Sequence, residues 1–329
     1  MTAGNKGVWW PVLLLLAVAG QASAQDQARE WLGDMSRALQ TLNYDGTFVY
    51  LHDGKLEAMR IIHQLGSTGE KERLVSLTGS AREVLRDDES VTCIMPDSKS
   101  VMVGQSRPRQ LLPMVPQDLD SLLRYYRFEM LGEDRISGFQ ARTVAITPRD
   151  EYRYGYRFWI DTDSKLLLKS DLTAVDGTAI EQVMFTRLDI GSTISDAALQ
   201  PSLTGKGYVW YHQSAEEATA PPQIGETRWS VGRLPDGFSM THYQRKRLQP
   251  EGQDTEHMVF SDGLATVSVY VESLSSDNAE FIGLSGMGAM NAFGAMVDGH
   301  QVTVVGEVPA LTVEMMARSV ASRQVSAHD

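Results

Sequence analysis

The chain has 329 residues, of which 42% are hydrophobic and 22% are charged, and its formal net charge at pH 7 is −12. This acidic balance argues against general nucleic-acid binding, although local basic patches remain compatible with it. The single cysteine, Cys93, excludes an intrachain disulfide. Within the run VTCIMP we expect it to be a small buried hydrophobic side chain, with an intermolecular disulfide as the alternative.

The first 24 residues have the features of an export signal. Lys6 gives a weakly positive start, the apolar run VWWPVLLLLAVAG follows, and Ala22, Ser23 and Ala24 form a small-residue cleavage site. The mature chain is expected to begin at Gln25, where no cysteine is available to carry a lipid anchor. No later apolar run approaches the roughly 20 residues that a membrane helix needs. The sequence therefore predicts an exported, soluble protein.

A helix is predicted at the start of the mature chain. Asp26 stands where an N-cap is expected, and Asn43 lies where the apolar pattern ends. The helix is expected to pack on the sheet that follows. Its apolar residues recur at spacings of three and four and form one stripe: Ala28, Trp31, Leu32, Met35, Leu39 and Leu42.

Six strands are predicted next, at a spacing of about ten residues that is typical of an all-β barrel or sandwich. They cover residues 47–51, 55–65, 70–77, 81–87, 91–95 and 100–104. Three prolines then interrupt the pattern in the segment RPRQLLPMVPQDL, residues 107–119, which is predicted to be a loop that crosses an opening or an edge. Apolar residues return at helical spacing and predict a second helix, on the sheet or in its mouth: Leu119, Leu122, Leu123, Tyr126 and Met130.

Residues 138–190 have the pattern of an antiparallel meander. Runs rich in β-branched and aromatic residues are separated by the turns DTDSK, at 161–165, and DG, at 176–177. Apolar residues occur on both faces of these strands, which leaves two interpretations open. Both faces are core, or the sheet is curved, with one side covered by helices and the other enclosing something apolar.

The segment SAEEATAPPQIGE, residues 214–226, combines charge, small residues and a proline pair, which is typical of a linker. Since the mature chain of roughly 300 residues exceeds one usual core, we predict two domains. Residues 25–213 form the larger domain and 228–329 the smaller one, with 1–24 as the signal and 214–227 as the linker.

The smaller domain is predicted to be α+β, with antiparallel strands and one terminal helix. The strands are FSMTHYQRKRL, HMVFSD, LATVSVYVES and HQVTVVGEV, and the glycine- and methionine-rich FIGLSGMGAMNAF is left unassigned. The helix begins at Pro309 and carries Leu311, Met315, Met316 and Val320.

The residues that carry enzyme chemistry do not form a recognisable pattern. His52 and Asp53 lie in a turn, and no serine in a G-x-S-x-G elbow completes a triad with them. The seven histidines lack metal-ligand spacing, and Asp161 and Asp163 lack the glycine and distal glutamate of a calcium loop. We therefore expect a protein that is not an enzyme and that uses no metal and no cofactor.

Four blocks of the sequence resemble the MucB/RseB family: LNYDGTFVYLHDGKLEAMRIIH, YRFWIDTDSKLLLKSDL, RLPDGFSMTHYQRKR and HMVFSDGLATVSVYVE. The resemblance covers essentially the whole mature chain. Members of this family are periplasmic negative regulators of the envelope-stress sigma factor. The resemblance implies an N-terminal domain similar to the lipoprotein carriers LolA and LolB, which is an unclosed β-barrel with covering helices, followed by a smaller α+β domain.

The resemblance also implies partners. The chain is expected to bind the periplasmic part of a membrane-spanning anti-sigma factor and to shield it from the initiating protease. Lipopolysaccharide or lipoprotein-derived lipid is expected to relieve this shielding. The expected location is the periplasm, and a homo-oligomer is left open.

Two groups of residues are candidates for binding. The first group could line a cavity for acyl chains, and the alternative is ordinary core: Phe48, Tyr50, Met59, Ile61, Tyr156, Phe158, Met184 and Phe185. The second group could meet lipid phosphates or acidic partner segments, and the alternative is a solvated strand face: Arg107, Arg109, Arg245, Lys246 and Arg247.

Two functions of different classes follow from these observations. The leading hypothesis is a regulator that binds an anti-sigma factor and responds to lipid. The alternative is a periplasmic carrier of lipid or lipoprotein, for which the apolar cavity is the whole function. A second domain behind a linker favours the regulator, because a carrier needs only the barrel. An exported hydrolase ranks third, since a catalytic constellation is missing.

Overall fold

The structure is a computed structural model that describes residues 11–67, 69–106, 112–202, 205–212, 227–247, 254–273 and 280–323. No helix among these residues is both long and apolar enough to cross a membrane.

The N-terminal part contains helix α1 and a sheet of twelve strands. The bounds are α1 Pro11–Thr41, β1 Tyr44–His52, β2 Lys55–Gly66, β3 Gly69–Ser76, β4 Glu83–Asp87, β5 Ser90–Met95, β6 Ser100–Gln105, β7 Tyr126–Ile136, β8 Phe139–Pro148, β9 Gly155–Asp161, β10 Leu167–Thr173, β11 Ala179–Ile190 and β12 Val209–His212. Every strand predicted in this part is present, with shifts of a few residues at the ends.

The twelve strands are ordered β12-β6-β5-β4-β3-β2-β1-β11-β10-β9-β8-β7. All neighbours are antiparallel except β12, which runs parallel to β6. The two outer strands, β12 and β7, do not pair with each other, so the barrel is unclosed. This confirms the predicted architecture, which is mostly antiparallel and open.

Helix α1 lies against the inner face of this sheet. Its residues Leu32 and Met35 are fully buried and share one core cluster with Ile61 of β2, Ile146 of β8 and Phe158 of β9. Side chains from distant strands meet in that cluster because the sheet curls around the helix. The predicted apolar stripe is therefore confirmed, although α1 begins at Pro11 and not after Asp26, since residues 11–25 are rich in good helix formers.

The second predicted helix is wrong. Only the short 3-10 helix Ser121–Arg124 forms, and β7 begins two residues later. Tyr126 and Phe128 are buried whereas Arg127 and Glu129 are exposed, so the segment alternates with the period of a strand. Its leucines had imitated helical spacing over only a few positions.

The C-terminal part is a second sheet with one helix packed on it. The bounds are β13 Trp229–Val231, β14 Ser239–Arg247, β15 Asp254–Ser261, β16 Thr266–Ser273, β17 Gly283–Met287, β18 Met290–Val297, β19 His300–Gly306, α2 Ala310–Ala317 and β20 Val320–Ser322. Six strands form an antiparallel sheet in the order β14-β15-β16-β19-β18-β17, and β13 pairs with β20. The α+β prediction is confirmed. The unassigned glycine- and methionine-rich stretch contributes the hairpin β17–β18, and Val320 lies in β20 rather than in the helix.

Candidate functional site

A cavity of about 670 Å³ lies between the two parts of the chain. Strands β1, β2, β9, β10 and β11 form its wall, and residues 112–117 of the proline-rich loop lie across it. Gly263, Leu264 and Glu307 of the C-terminal part also line it, as do Gln40 of α1, Leu74 of β3 and Arg82. The sequence predicted a loop that crosses an opening or an edge, and its residues 112–117 are part of the cavity lining.

The structure separates the eight predicted cavity residues into three groups. Phe48, Tyr50, Met59 and Tyr156 line the cavity. Ile61, Phe158 and Phe185 are buried in the core cluster and do not line it. Met184 points to the opposite face of β11, where it packs in a separate cluster with Trp159. Contact between any of these side chains and a ligand remains a prediction.

Several cavity residues were not predicted from the sequence. Leu172 and Val183 line the wall, and Leu112 and Val115 lie in the loop. Val183 shares a face with Phe185, so strand alternation could have identified it. The loop residues have no such periodicity. Ser36 of α1 donates a hydrogen bond to the carbonyl oxygen of Val115 at 3.3 Å, which ties the loop to the helix.

Two glutamates give the cavity an acidic edge. The hydroxyl of Tyr50 donates to Oε2 of Glu181 at 2.6 Å, and the hydroxyl of Tyr156 donates to Oε1 of Glu307 at 3.2 Å. Part of the Glu307 side chain is exposed, but burial of its carboxylate and the nearby charge of Glu181 raise its pKa. Burial, followed by the hydrogen bond to Glu181, raises the pKa of Tyr50.

A buried ion pair joins the two parts beside the cavity. Arg153 lies between β8 and β9, and its Nη1 is 2.5 Å from Oδ2 of Asp262, with both side chains fully buried. Tyr126 donates to the same Asp262 oxygen at 2.8 Å. Asp150 accepts two more hydrogen bonds from the guanidinium, at 2.8 and 3.0 Å, and the carbonyl oxygen of Asp236 accepts one at 2.7 Å.

This ion pair also positions the cavity lining. The other oxygen of Asp262, Oδ1, accepts the backbone N–H groups of Leu264 and Ala265 at 2.9 and 2.7 Å. The turn that carries Leu264 over the cavity is therefore fixed by the residue that binds Arg153. The rings of Tyr125, Tyr126 and Phe238 lie 5.2 to 5.5 Å from the guanidinium carbon and exclude water from it.

The hairpin β17–β18 makes a second contact between the two parts. The backbone N–H of Ala289 donates to Oε1 of Glu181 at 3.0 Å, and the amide of Asn291 donates to the Tyr154 hydroxyl at 3.1 Å. Toward solvent the same hairpin exposes large apolar side chains, and Met287 is 69% exposed.

Of the five predicted basic residues, the structure describes the side chain of Arg245 alone. Arg107 and Arg109 lie outside the described residues. Arg245, Lys246 and Arg247 lie on β14, and the side chains of the last two are also outside the description. Strand β14 is the edge of the six-stranded sheet opposite to β17, so the basic strand and the methionine hairpin are far apart. Arg245 is exposed and stands opposite Glu256, and Arg247 stands opposite Asp254.

The residues considered for catalysis and metal binding have structural roles. His52 contacts Glu57 at 3.4 Å in its hairpin. Asp161 accepts hydrogen bonds from the backbone N–H and the hydroxyl of Ser164, which closes the predicted turn. Among the described residues no group of three His, Cys, Asp or Glu side chains could hold a metal ion. Cys93 is half-buried.

Known proteins resemble the chain over nearly its whole length. The model of the MucB/RseB N-terminal domain matches residues 27–203, and that of the MucB/RseB C-terminal domain matches residues 223–321. The chain is 31% identical over 322 residues to the sigma factor AlgU regulatory protein MucB of Pseudomonas aeruginosa, which covers 94% of this chain and 96% of that protein. It is 28% identical over 320 residues to the sigma-E factor regulatory protein RseB of Haemophilus influenzae, with 94% and 96% covered.

A solved structure extends this similarity to the fold. The crystal structure of MucB in complex with MucA(peri) matches with a TM-score of 0.68 at 29% identity, and the match covers 91% of this chain and 100% of that chain. The similarity therefore includes both sheets.

The buried ion pair gives a first prediction. Replacement of Asp262 by alanine should lower the free energy of unfolding by about 3 kcal/mol or more, because it leaves a buried guanidinium without one of its partners. Urea unfolding followed by tryptophan fluorescence measures the change. Glu314→Ala is the matched control, since it removes an exposed ion pair with Arg318 and should cost less than about 0.5 kcal/mol. Equal losses in the two variants would contradict the structural role of Asp262.

Glu307 gives a prediction about pH. Its pKa is raised in the folded protein, so the stability that its protonated form contributes is fully present below the ordinary value of 4.5 and is lost as the pH rises through the raised pKa. Glu307→Gln should therefore raise the melting temperature at pH 7, and the gain should shrink as the pH falls to 4.5. Thermal unfolding across this pH range, with the exposed Glu151→Gln as a control for lost charge, is the measurement. A gain that does not depend on pH would exclude this origin.

Proposed function

This chain belongs to the MucB/RseB family, and we propose that it is a periplasmic negative regulator that binds the periplasmic part of a membrane-spanning anti-sigma factor. The match of both domain models over nearly the whole chain carries the proposal. A solved relative, MucB in complex with MucA(peri), supports it. The export signal predicted over residues 1–24 supports the periplasmic location.

The regulator is proposed to shield the anti-sigma factor from proteolysis until lipid arrives. The cavity supports the lipid half of this proposal, because its volume of about 670 Å³ is typical of small-molecule sites and its wall is mainly apolar. Each methylene that moves from water into such a wall contributes about 0.8 kcal/mol. Lipopolysaccharide or lipoprotein-derived lipid would supply the acyl chain.

A carrier of lipid or lipoprotein remains the second candidate, since a cavity alone would serve it. One observation favours the regulator. The C-terminal part contributes Leu264 and Glu307 to the cavity, so an occupant of the cavity touches both parts of the chain. A carrier has no need of this arrangement, whereas a regulator needs it to connect lipid with a partner.

The two domains of the regulator are proposed to cover residues 25–213 and 228–329, with a linker at 214–227. Strand β12 ends at His212 and β13 begins at Trp229, which is consistent with these limits. We propose that the smaller domain supplies much of the contact with the anti-sigma factor. Its methionine hairpin can adapt to an apolar surface, and its basic strand can pair with carboxylates. Because these two features lie on opposite edges of one sheet, they can be tested separately.

The basic strand gives a prediction about partner affinity. The double variant Arg245→Glu, Arg247→Glu should weaken binding of the anti-sigma factor's periplasmic segment by about 1–3 kcal/mol, because carboxylates would then face carboxylates. Isothermal titration calorimetry measures the affinity. The control is the pair Arg233→Glu, Arg323→Glu, at exposed positions of the same domain, which makes the same change in net charge. If the double variant and the control have equal affinities, the contact lies elsewhere, and Met287→Ser then tests the hairpin.

Reciprocal titration tests the proposed function as a whole. A lipid that releases the partner must lower partner affinity by the same factor as the partner lowers lipid affinity. With lipid A or a diacylated lipopeptide as the probe, we expect a reciprocal factor of about tenfold or more. Protection of the anti-sigma segment from a protease should fall with the same lipid dependence. Lipid binding without any effect on the partner would support the carrier instead.

A further inference from the structure

The tip of hairpin β17–β18 is held by a single carboxylate. The two strands are joined by Gly288 and Ala289, and the N–H of Ala289 donates to Oε1 of Glu181 at 3.0 Å. Ala289 is fully buried, so its N–H has no access to water if this bond breaks. Gly288 has φ +59°, and a Cβ at this position would lie 2.8 Å from the same Glu181 oxygen. The turn is therefore shaped to admit the carboxylate.

The second oxygen of this carboxylate belongs to the cavity. Oε2 of Glu181 accepts the Tyr50 hydroxyl at 2.6 Å, and both side chains line the cavity. Tyr50 and Glu181 stand on neighbouring strands, β1 and β11. One side chain of the larger domain thus contacts the cavity with one oxygen and the smaller domain with the other.

An apolar occupant of the cavity would act on this carboxylate. It would displace water from Glu181 and from Glu307, whose negative charges already repel each other across the cavity edge. The half-buried Glu181 side chain can reduce this cost by turning toward solvent. When it turns, Ala289 loses its acceptor and the hairpin loses its attachment to β11.

The buried ion pair between the domains has the opposite character. The pair of Arg153 and Asp262 is fully buried and enclosed by three rings, so breaking it would leave two charges without water. Leu264 next to it also lines the cavity. This contact is suited to remain intact while the hairpin separates, because among the described residues the hairpin is held to the larger domain only by hydrogen bonds to the half-buried Glu181 and to the Tyr154 hydroxyl.

We infer that Glu181 is the positioning residue through which an apolar ligand in the cavity releases the methionine hairpin, with the Arg153–Asp262 pair as the pivot. The inference rests on the proposed function in assuming that the cavity takes an apolar ligand. It adds that Glu181 links ligand binding in the cavity to the smaller domain, and that hairpin β17–β18 is the segment that moves.

The test uses the full mature chain and N-phenyl-1-naphthylamine, an uncharged dye that fluoresces in apolar surroundings, as the cavity probe. Hydrogen exchange of residues 283–297 reports on the hairpin. In the wild type, saturating dye should speed exchange of the Ala289 amide by about tenfold. In Glu181→Gln the dye should still bind, but exchange should change less than about twofold, because a neutral amide can accept from Ala289 without needing water.

Two further variants distinguish a specific role of Glu181 from a general weakening of the hairpin's contact with the larger domain. Glu181→Ala should expose the hairpin with or without dye, because no acceptor remains. Tyr154→Phe is the matched control: it removes another bond to the same hairpin, from Asn291, but Tyr154 does not line the cavity. It should raise basal exchange and keep the response of about tenfold.

The outcomes distinguish the two proposals. If the dye does not bind the wild type, the cavity is not a binding site for apolar ligands, and the inference fails with it. Dye that binds without changing hairpin exchange, or that changes it equally in the wild type and in Glu181→Gln, would overturn the inference and leave the cavity standing.

Discussion

The arrangement of this molecule depends on one ion pair, between Arg153 and Asp262. Both side chains are fully buried, and such a pair is stable only if its remaining hydrogen-bonding groups are also satisfied. Asp150, Tyr126 and the backbone of Asp236 meet that requirement. Since Arg153 and Asp262 come from different domains, the ion pair forms only when the domains dock. The cavity is complete only in the docked arrangement, because Leu264 is fixed by Asp262.

The cavity itself results from the shape of the curled sheet. Helix α1 fills part of the inner face with Leu32, Met35 and their neighbours. The space beyond the helix is lined by the proline-rich loop and by a turn of the smaller domain. Wall residues such as Phe48 and Met59 are buried and also belong to the core cluster, so the cavity wall and the core are continuous.

The sequence predicted the strands well because their alternation is local, and the hairpin turns carry aspartate and glycine. It failed at Leu119–Met130, where a few leucines imitate helical spacing before a strand begins. Half of the predicted cavity residues, including Phe48 and Tyr156, line the cavity, whereas Ile61 and Phe185 are buried in the core. Strand alternation identifies the face on which a side chain lies, but it does not tell whether that side chain reaches the cavity. Glu181, Glu307 and Arg153 were missed, since each acquires its role from residues distant in the sequence.

The strand order has a consequence for how the chain folds. Strands β1–β6 form one run of consecutive hairpins and β7–β11 form another, and a single pairing, β1 with β11, joins them. That pairing places Tyr44 opposite Ile190, so the two halves of the larger sheet remain separate until β11 pairs with β1. Local hairpins form early, whereas a contact of such long sequence separation is slow to form. Until the two pieces join, apolar strand edges stay exposed, and the folding chain is then most vulnerable to aggregation and proteolysis.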